Sequence, residues 1–339
     1  MLRIMIIVRA PLRISFVGGG TDLADFYHLY PGKVISATID KYVYAVINPA
    51  SLLKGITVRY SIIENVNKVK DLKNDRIREV MLDLAVEDNM EIGIFSHLPV
   101  GTGLGGSSAF TVALIKGLTT YLGKRLDKEE LAKAACKIEI DLIKEPIGKQ
   151  DQYATAFGGF NIFQFNSDET VDVEPILLDF KKRLDLEKHL LLFFTGITRQ
   201  ASSVLTEQKS NIPGKLETLK SMTELVDVFK QNLLKGNFEA LGKLLHENWL
   251  KKKKLASGVS NQIIDKLYEA GIKNGAWGGK VLGAGGGGCI LFLSPVNKKN
   301  EIKKALENMA KKYNLEDSKE IPVKFVQSGV EVISNSYHI

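Results

Sequence analysis

Leu98-Pro-Val-Gly-Thr-Gly-Leu-Gly-Gly-Ser-Ser-Ala109 is the stretch whose reading decides the fold. An apolar run, Ile92, Ile94 and Phe95, leads into it, and a helix-like run from Ala109 to Leu122 leads out. Gly101, Gly103, Gly105 and Gly106 therefore stand between a strand and the first turn of a helix. Glycines there let the backbone approach a ligand with no Cβ in the way, and the free N–H groups of the helix start point at it. With the helix dipole, this arrangement favours an anion, above all a phosphate. Ser107 and Ser108 add hydroxyls that either cap the helix or ligate a magnesium ion.

Two familiar phosphate-binding patterns compete for these glycines, and both fail. Gly101, Gly103 and Gly106 satisfy the bare G-x-G-x-x-G of a dinucleotide fold. That fold needs a second strand after the helix, ending in an acid about 20 residues on. Here Asp127–Ile143 follows, and its pattern is helical again, over Lys128–Ile143. A P-loop requires a Lys directly after the glycines, and none is present.

Outward from this loop, strand-like runs such as Lys33–Ile39, Tyr42–Ile47, Ile56–Tyr60 and Phe160–Phe165 fill the first half, and helical patterns fill the second. Strands early and helices late, without βαβ alternation, imply an α+β class. At 339 residues the chain exceeds one typical core, so two domains are expected. The polar stretch Asn166–Glu174 suggests a division into residues 1–170, carrying the phosphate loop, and 171–339.

The net charge of +7 does not indicate nucleic acid. The lysines are spread over helical faces, and the one dense run, Lys251–Lys254, reads as a solvated helix end without interleaved aromatics. Cys136 and Cys289 lie apart, without metal-ligand spacing, and read as reduced packing residues. Leu2–Val8 is short, is interrupted by Arg3 and reads as a first strand. With no apolar run long enough to span a bilayer, a cytoplasmic protein without membrane contact is expected.

Three further segments carry chemistry. Gly278–Gly288 holds four consecutive glycines, Gly285–Gly288, before a strand at Cys289. Either a ligand or the first domain approaches that backbone closely. Arg9–Asp22 runs a strand containing Arg13 into Gly18, Gly19 and Gly20, then Thr21 and Asp22. In Ile147–Ala154, Asp151 opens a short helix after a Pro146/Gly148 loop. Upstream, Glu139 stands on a helix face otherwise turned to the core, where an acid is costly unless solvated, paired or bound to a cation.

Together these segments resemble, over essentially the whole chain, the GHMP family of small-molecule kinases. Ala10–Asp22, Leu98–Ala109 and Val281–Cys289 match its three motifs, and Gln150-Asp151-Gln152 matches the setting of its catalytic Asp. The resemblance implies two domains, an N-terminal one like ribosomal protein S5 and a C-terminal ferredoxin-like α/β sandwich. It implies ATP and Mg²⁺ as cofactors, Asp151 as base and Arg13 as a charge stabiliser. Pro99, Gly101, Gly103, Leu104, Gly105, Gly106, Ser107 and Ser108 would hold the nucleotide phosphates. Glu139 and Ser107 would hold the metal, with Ser108 as the alternative. Gly19, Gly20, Thr21, Asp22, Gly285, Gly286 and Gly287 would meet the acceptor.

Within the family, galactokinases carry Gly-Glu-His-Thr-Asp where this chain has Gly18-Gly-Gly-Thr-Asp22. Gly18–Leu23, Ile39–Tyr44 and Glu145–Tyr153 look instead like the kinases of D-glycero-D-manno-heptose 7-phosphate. That likeness implies phosphorylation at O1 of a sugar already phosphorylated, by a monomer or homodimer. Arg199, Lys33, Lys149 and Lys280 are the candidate cations for the 7-phosphate. The alternatives are another sugar (fucose, N-acetylhexosamine or galactose), an isoprenoid intermediate, or a non-catalytic sensor; retention of Asp151 and Glu139 argues against the last.

Overall fold

The computed structural model describes residues 5–49, 54–198 and 202–335. β1 (Ile6–Val17) and β2 (Gly32–Pro49) form a long antiparallel ribbon, joined through the short helix α1 (Ala24–Tyr27). The runs read as separate strands at Lys33–Ile39 and Tyr42–Ile47 are one. The register steps from Pro11 opposite Tyr42 to Leu12 opposite Ile39, so Asp40 and Lys41 are the surplus residues of a bulge. Pro11 sits at that bulge, where the N–H it lacks is not needed by the ladder.

β3 (Ile56–Arg59) and β4 (Ile63–Val66) form a hairpin. After α2 (Asp75–Asp83), β5 (Met90–Ser96) inserts between β3 and the Val43–Pro49 half of β2. β5 runs into the glycine loop and then α3 (Gly106–Tyr121), the expected strand-loop-helix order. α4 (Lys128–Cys136) opens on a capping box, with Asp127 and Glu130 each accepting the other's backbone N–H. The helix expected to continue to Ile143 changes pitch at Cys136, and Lys137–Leu142 winds on as a π-helical segment that carries Glu139. Such segments recur at functional sites. α5 (Gln150–Phe157) leads to β6 (Phe160–Phe165), which pairs with the Gly32–Ala37 half of β2, and to β7 (Val171–Pro175) beside it.

α6 (Phe180–His189) enters a second sheet at β8 (Leu190–Phe194). Then come α7 (Ser202–Lys235), α8 (Phe238–Lys252), α9 (Gln262–Lys273), β9 (Gly278–Val281), β10 (Cys289–Leu293), α10 (Lys299–Lys312) and β11 (Lys319–Glu320). The order is β11-β8-β10-β9, and every pairing is antiparallel. β12 (Glu331–Asn335) returns to the first sheet beside β1. The division expected after residue 170 thus runs through the paired strands β6 and β7, and the last strand belongs with the first sheet.

β8 and β10 are buried on both faces. Leu190, Leu192, Phe194, Cys289, Leu291 and Leu293 join the core beneath the first sheet. Leu191, Phe193, Ile290 and Phe292 face a second core with Trp249, Ile264, Leu267 and Ile302. The two-residue period of a strand makes this division, and it explains why both strands read as unbroken apolar runs. The class is α+β, as expected, and the inner face of the second sheet is continuous with the core of the first.

Candidate active site

Gly105 precedes α3 in a left-handed conformation (φ 76°), and no side chain caps the helix. The first intrahelical bond runs from Ala109 N to Gly105 O at 2.9 Å. The N–H groups of Gly106, Ser107 and Ser108 therefore precede the helical ladder and are free for a ligand. Gly106 is helical, and a Cβ there would meet only Leu12 Cδ2, at 3.9 Å, so neither its conformation nor its protein neighbours require a glycine. Ahead of it, Pro99 is exposed, while Leu104 is buried and its carbonyl accepts Arg13 N at 3.0 Å.

The same Arg13 joins the loop to Asp151. Its Nε and Nη2 donate to Asp151 Oδ1 and Oδ2 at 2.7 and 2.8 Å, and its Nη1 donates to Gly103 O at 2.7 Å. Arg13 is buried on β1, whereas Asp151, in the first turn of α5, keeps 25% of its side chain exposed. A fork-to-fork ion pair fixes both carboxylate oxygens in one plane, and one edge remains open to an incoming group. A Cβ on Gly105 would stand 3.2 Å from Arg13 Cγ and 3.5 Å from Asp151 Cγ. The glycine loop and the carboxylate are therefore immediate neighbours.

Glu139 is fully buried and does not lack partners. Thr111 Oγ1 donates to its Oε1 at 2.7 Å and Arg76 Nε at 3.3 Å; Ser108 Oγ donates to Oε2 at 2.8 Å, joined by Gln152 Nε2. Ser107, the residue expected beside Glu139 by counting, is exposed on the outer side of the turn, and Ser108 is the serine that meets the acid. Two oxygens bound at right angles to one magnesium ion, at about 2.0–2.1 Å each, stand about 2.9 Å apart. Ser108 Oγ and Glu139 Oε2 have that spacing, so the donor set fits. Among the described residues no group of three or more His, Cys, Asp or Glu could hold a metal. An ion here would take its remaining ligands from phosphate and water.

Between β1 and α1, Thr21 is buried and occupied structurally, its hydroxyl accepting Lys33 N at 3.0 Å and lying within donating distance of Gly18 O and Lys33 O. Asp22, also buried, accepts Gly20 N at 3.1 Å and Gln150 Nε2 at 3.0 Å. Burial, and then the charge of Asp151, raise its pKa above the usual carboxylate range. Two lysines close this side. Lys280, from β9, is wholly buried and donates to Ser15 O at 2.9 Å. Lys252, the last residue of α8, is 4% exposed and donates to Gly283 O.

Lys252 was missed in the sequence because Lys251–Lys254 reads as a solvated run. The signal was its phase: Leu241, Leu245, Asn248 and Trp249 are the buried face of α8, and Lys252 continues it. Of the candidate phosphate cations, Lys33 pairs with Asp227 and Lys149 with Glu169, Lys280 lies at this site, and Arg199 is outside the described residues.

The second glycine loop meets protein backbone. A Cβ on Gly285 would stand 2.4 Å from Val259 O, on Gly287 2.7 Å from Ile197 O, and on Gly288 2.6 Å from Thr102 O. Cys289 N bonds Thr102 O, and Gly283 lies against Gly103. Gly283 and Gly288 thus serve the close approach of the two halves of the molecule, whereas Gly285 and Gly287 pack against Val259 and Ile197 of their own half. Gly285, Gly286 and Gly287 are buried, with Gly286 N donating to Val259 O.

The chain is similar to known proteins. Residues 67–159 match the GHMP kinases N terminal domain and residues 229–315 the GHMP kinases C terminal domain. A D-glycero-alpha-D-manno-heptose 7-phosphate kinase of Campylobacter jejuni is 32% identical over 312 residues, 88% of this chain and 92% of the relative. A mevalonate kinase of Thermococcus sibiricus is 27% identical over 89% of this chain and 92% of its own length. The crystal structure of a D-glycero-D-manno-heptose 1-phosphate kinase from Bacteriodes thetaiotaomicron superposes with a TM-score of 0.80 at 26% identity, covering 98% of this chain and all of the other (100%). Both halves of the chain and its glycine loops carry the likeness, and the protein belongs to the GHMP kinases, as an ATP-dependent small-molecule kinase.

Proposed function

We propose that the protein transfers the γ-phosphoryl group of ATP to the anomeric O1 of D-glycero-D-manno-heptose 7-phosphate, giving the 1,7-bisphosphate for nucleotide-activated heptose. The observation that carries this reading is the Arg13–Asp151 pair directly beside the glycine loop. The identity of 32% to a heptose 7-phosphate kinase supports the acceptor.

In the reaction, O1 forms a bond to the γ-phosphorus as the bond from that phosphorus to the bridging oxygen of ADP breaks. The O1 proton passes to Asp151. Phosphoryl transfer runs through a loose transition state, so the hydroxyl loses its proton late, and a carboxylate held by Arg13 suffices as acceptor. The main work is positioning: the backbone of Gly101–Ser108 aligns the phosphates, Arg13 fixes Asp151, and Asp22 takes acceptor hydroxyls through its remaining lone pairs. Ser108 and Glu139 would hold Mg²⁺ against the nucleotide, where the ion neutralises phosphate charge. The substrates are small molecules; neither nucleic acid nor a membrane has a part, and no helix among the described residues is long and apolar enough to cross one.

ADP release, coupled to a spectrophotometric readout, is to be measured with Mg-ATP over a set of acceptors. D-glycero-D-manno-heptose 7-phosphate is expected to exceed galactose, fucose and mevalonate in kcat/KM by about 10²-fold, the scale of one charge-assisted phosphate clamp. A stronger preference for one of the others would transfer the assignment to that acceptor and leave the kinase standing.

A further inference from the structure

Gly19 differs from the glycines on either side of it. Gly18 and Gly20 have φ of +88° and +106°, and a Cβ on Gly18 would collide with Lys33 O at 2.0 Å. Gly19 lies outside the left-handed region, and a Cβ there would approach no atom closer than 3.7 Å. A methyl group would stand there at ordinary contact distances, yet none is present, which leaves a small hole of about methyl size. Its rim is Ser15 Oγ at 3.7 Å, Gln150 Nε2 at 4.0 Å and Lys252 Nζ at 4.0 Å from the position of that Cβ. All three can donate hydrogen bonds.

The charge around the hole is unbalanced. Arg13 is neutralised by Asp151, but among the described residues neither Lys252 nor Lys280 has an ion-pair partner. The carboxylate nearby, Asp22, is taken up by Gly20 N and Gln150. Among the described residues Lys252 has one bond, to a carbonyl, for its three protons. Two buried lysines beside one carboxylate are an expensive arrangement for an apo protein, and an anion next to the Lys252 ammonium relieves it. None of the rim groups comes from Leu98–Ala109, where the nucleotide phosphates are assigned. Gln150 instead adjoins Asp151 and bonds Asp22, on the side assigned to the acceptor.

We propose that Ser15, Gln150 and Lys252, around the space left by Gly19, form the subsite for the phosphate that the acceptor sugar already carries. Lys280 stands behind Ser15 and fixes it. This deepens the proposed function and rests on it: Lys252 is the residue that distinguishes a phosphorylated acceptor from the bare sugar.

The test uses two variants of the full chain, each assayed for ADP release on heptose 7-phosphate and on the unphosphorylated heptose, with thermal melts alongside. Lys252→Met keeps the stem and removes the charge. Gly19→Ala fills the hole at ordinary contact distances, so it folds with an unchanged or higher Tm. Both are expected to raise KM for the phosphorylated acceptor by about 10- to 100-fold, the loss of one charge-assisted hydrogen bond. Their KM for ATP should stay within about threefold, the ratio of KM for the bare sugar to KM for the phosphorylated acceptor should fall by about tenfold or more, and Lys252→Arg should recover part of the loss.

A folded Gly19→Ala or Lys252→Met enzyme that keeps the wild-type preference overturns the subsite and leaves the proposed function intact. Equal loss of kcat on both acceptors also overturns it, since the ammonium would then serve the transferred group. A wild type that treats the two heptoses alike overturns both the subsite and the substrate reading.

Discussion

At the scale of single residues, Lys252 shows how burial converts an ordinary side chain into a titrating one. Burial above all, with a smaller contribution from Arg13, brings its pKa down to about 8 against the opposing pull of Asp22 and Asp151. Lys280, facing it from β9, is driven well below the usual lysine range by burial first and then by Lys252. Only the charged form of Lys252 attracts a phosphomonoester. In the free enzyme that form prevails below about pH 8 and is lost above it. Thus kcat/KM for the phosphorylated acceptor should fall as pH rises through about 8, because this parameter reports ionisations of the free enzyme. A pH profile checks it: Lys252→Met should lack that limb, and a wild-type profile that stays flat there contradicts the assigned role.

At the scale of elements, the first glycine loop uses the same residue for different ends. Gly103 (φ +77°) has Leu282 O 2.6 Å from its missing Cβ, so it is required by docking onto the second half of the molecule. Gly106 is required by nothing in the protein itself. Gly103→Ala should therefore cost about 1–3 kcal/mol of stability, through strained φ and a backbone clash. Gly106→Ala should keep or raise Tm, alanine being better in a helix by about 1 kcal/mol. Its KM for ATP should nonetheless rise at least about tenfold, because a methyl group stands where a phosphate oxygen approaches. Melts and ATP titrations on the two variants check this; a Gly106→Ala enzyme with normal ATP affinity would remove the phosphates from the start of α3.

Leu98–Ala109 was readable because strand, glycines and helix follow one another in sequence. The packing of Gly285–Gly288 was not, since its partners Val259, Ile197 and Thr102 lie outside the loop. β9 was missed for a related reason, its first two residues being Gly278 and Gly279 inside a run that reads as loop. The change of pitch at Cys136, and with it the setting of Glu139, has no local signal; Glu139 accepts from Arg76, Ser108, Thr111 and Gln152, which only the tertiary fold assembles.

At the scale of the whole molecule, the site is a seam between two sheets. Arg13 and Ser15 come from β1, Asp151 and Gln150 from α5, Lys252 from α8 and Lys280 from β9. β8 and β10, with one face in each core, join the halves that hold these residues, and β12 ties the end of the chain back to β1. The α+β class was legible from strands early and helices late. The return of β12 was not, because pairing partners more than 300 residues apart leave no mark on local pattern.

All of this geometry converges on one carboxylate edge beside the glycine loop. The direct test is single-substitution kinetics on Asp151→Asn, with heptose 7-phosphate and Mg-ATP, in protein shown by its melt to be folded and by titration to bind ATP. The account predicts that kcat falls about 10²-fold or more while ATP affinity is kept, the scale of a lost general base; a folded Asp151→Asn enzyme turning over at near the wild-type rate would contradict it.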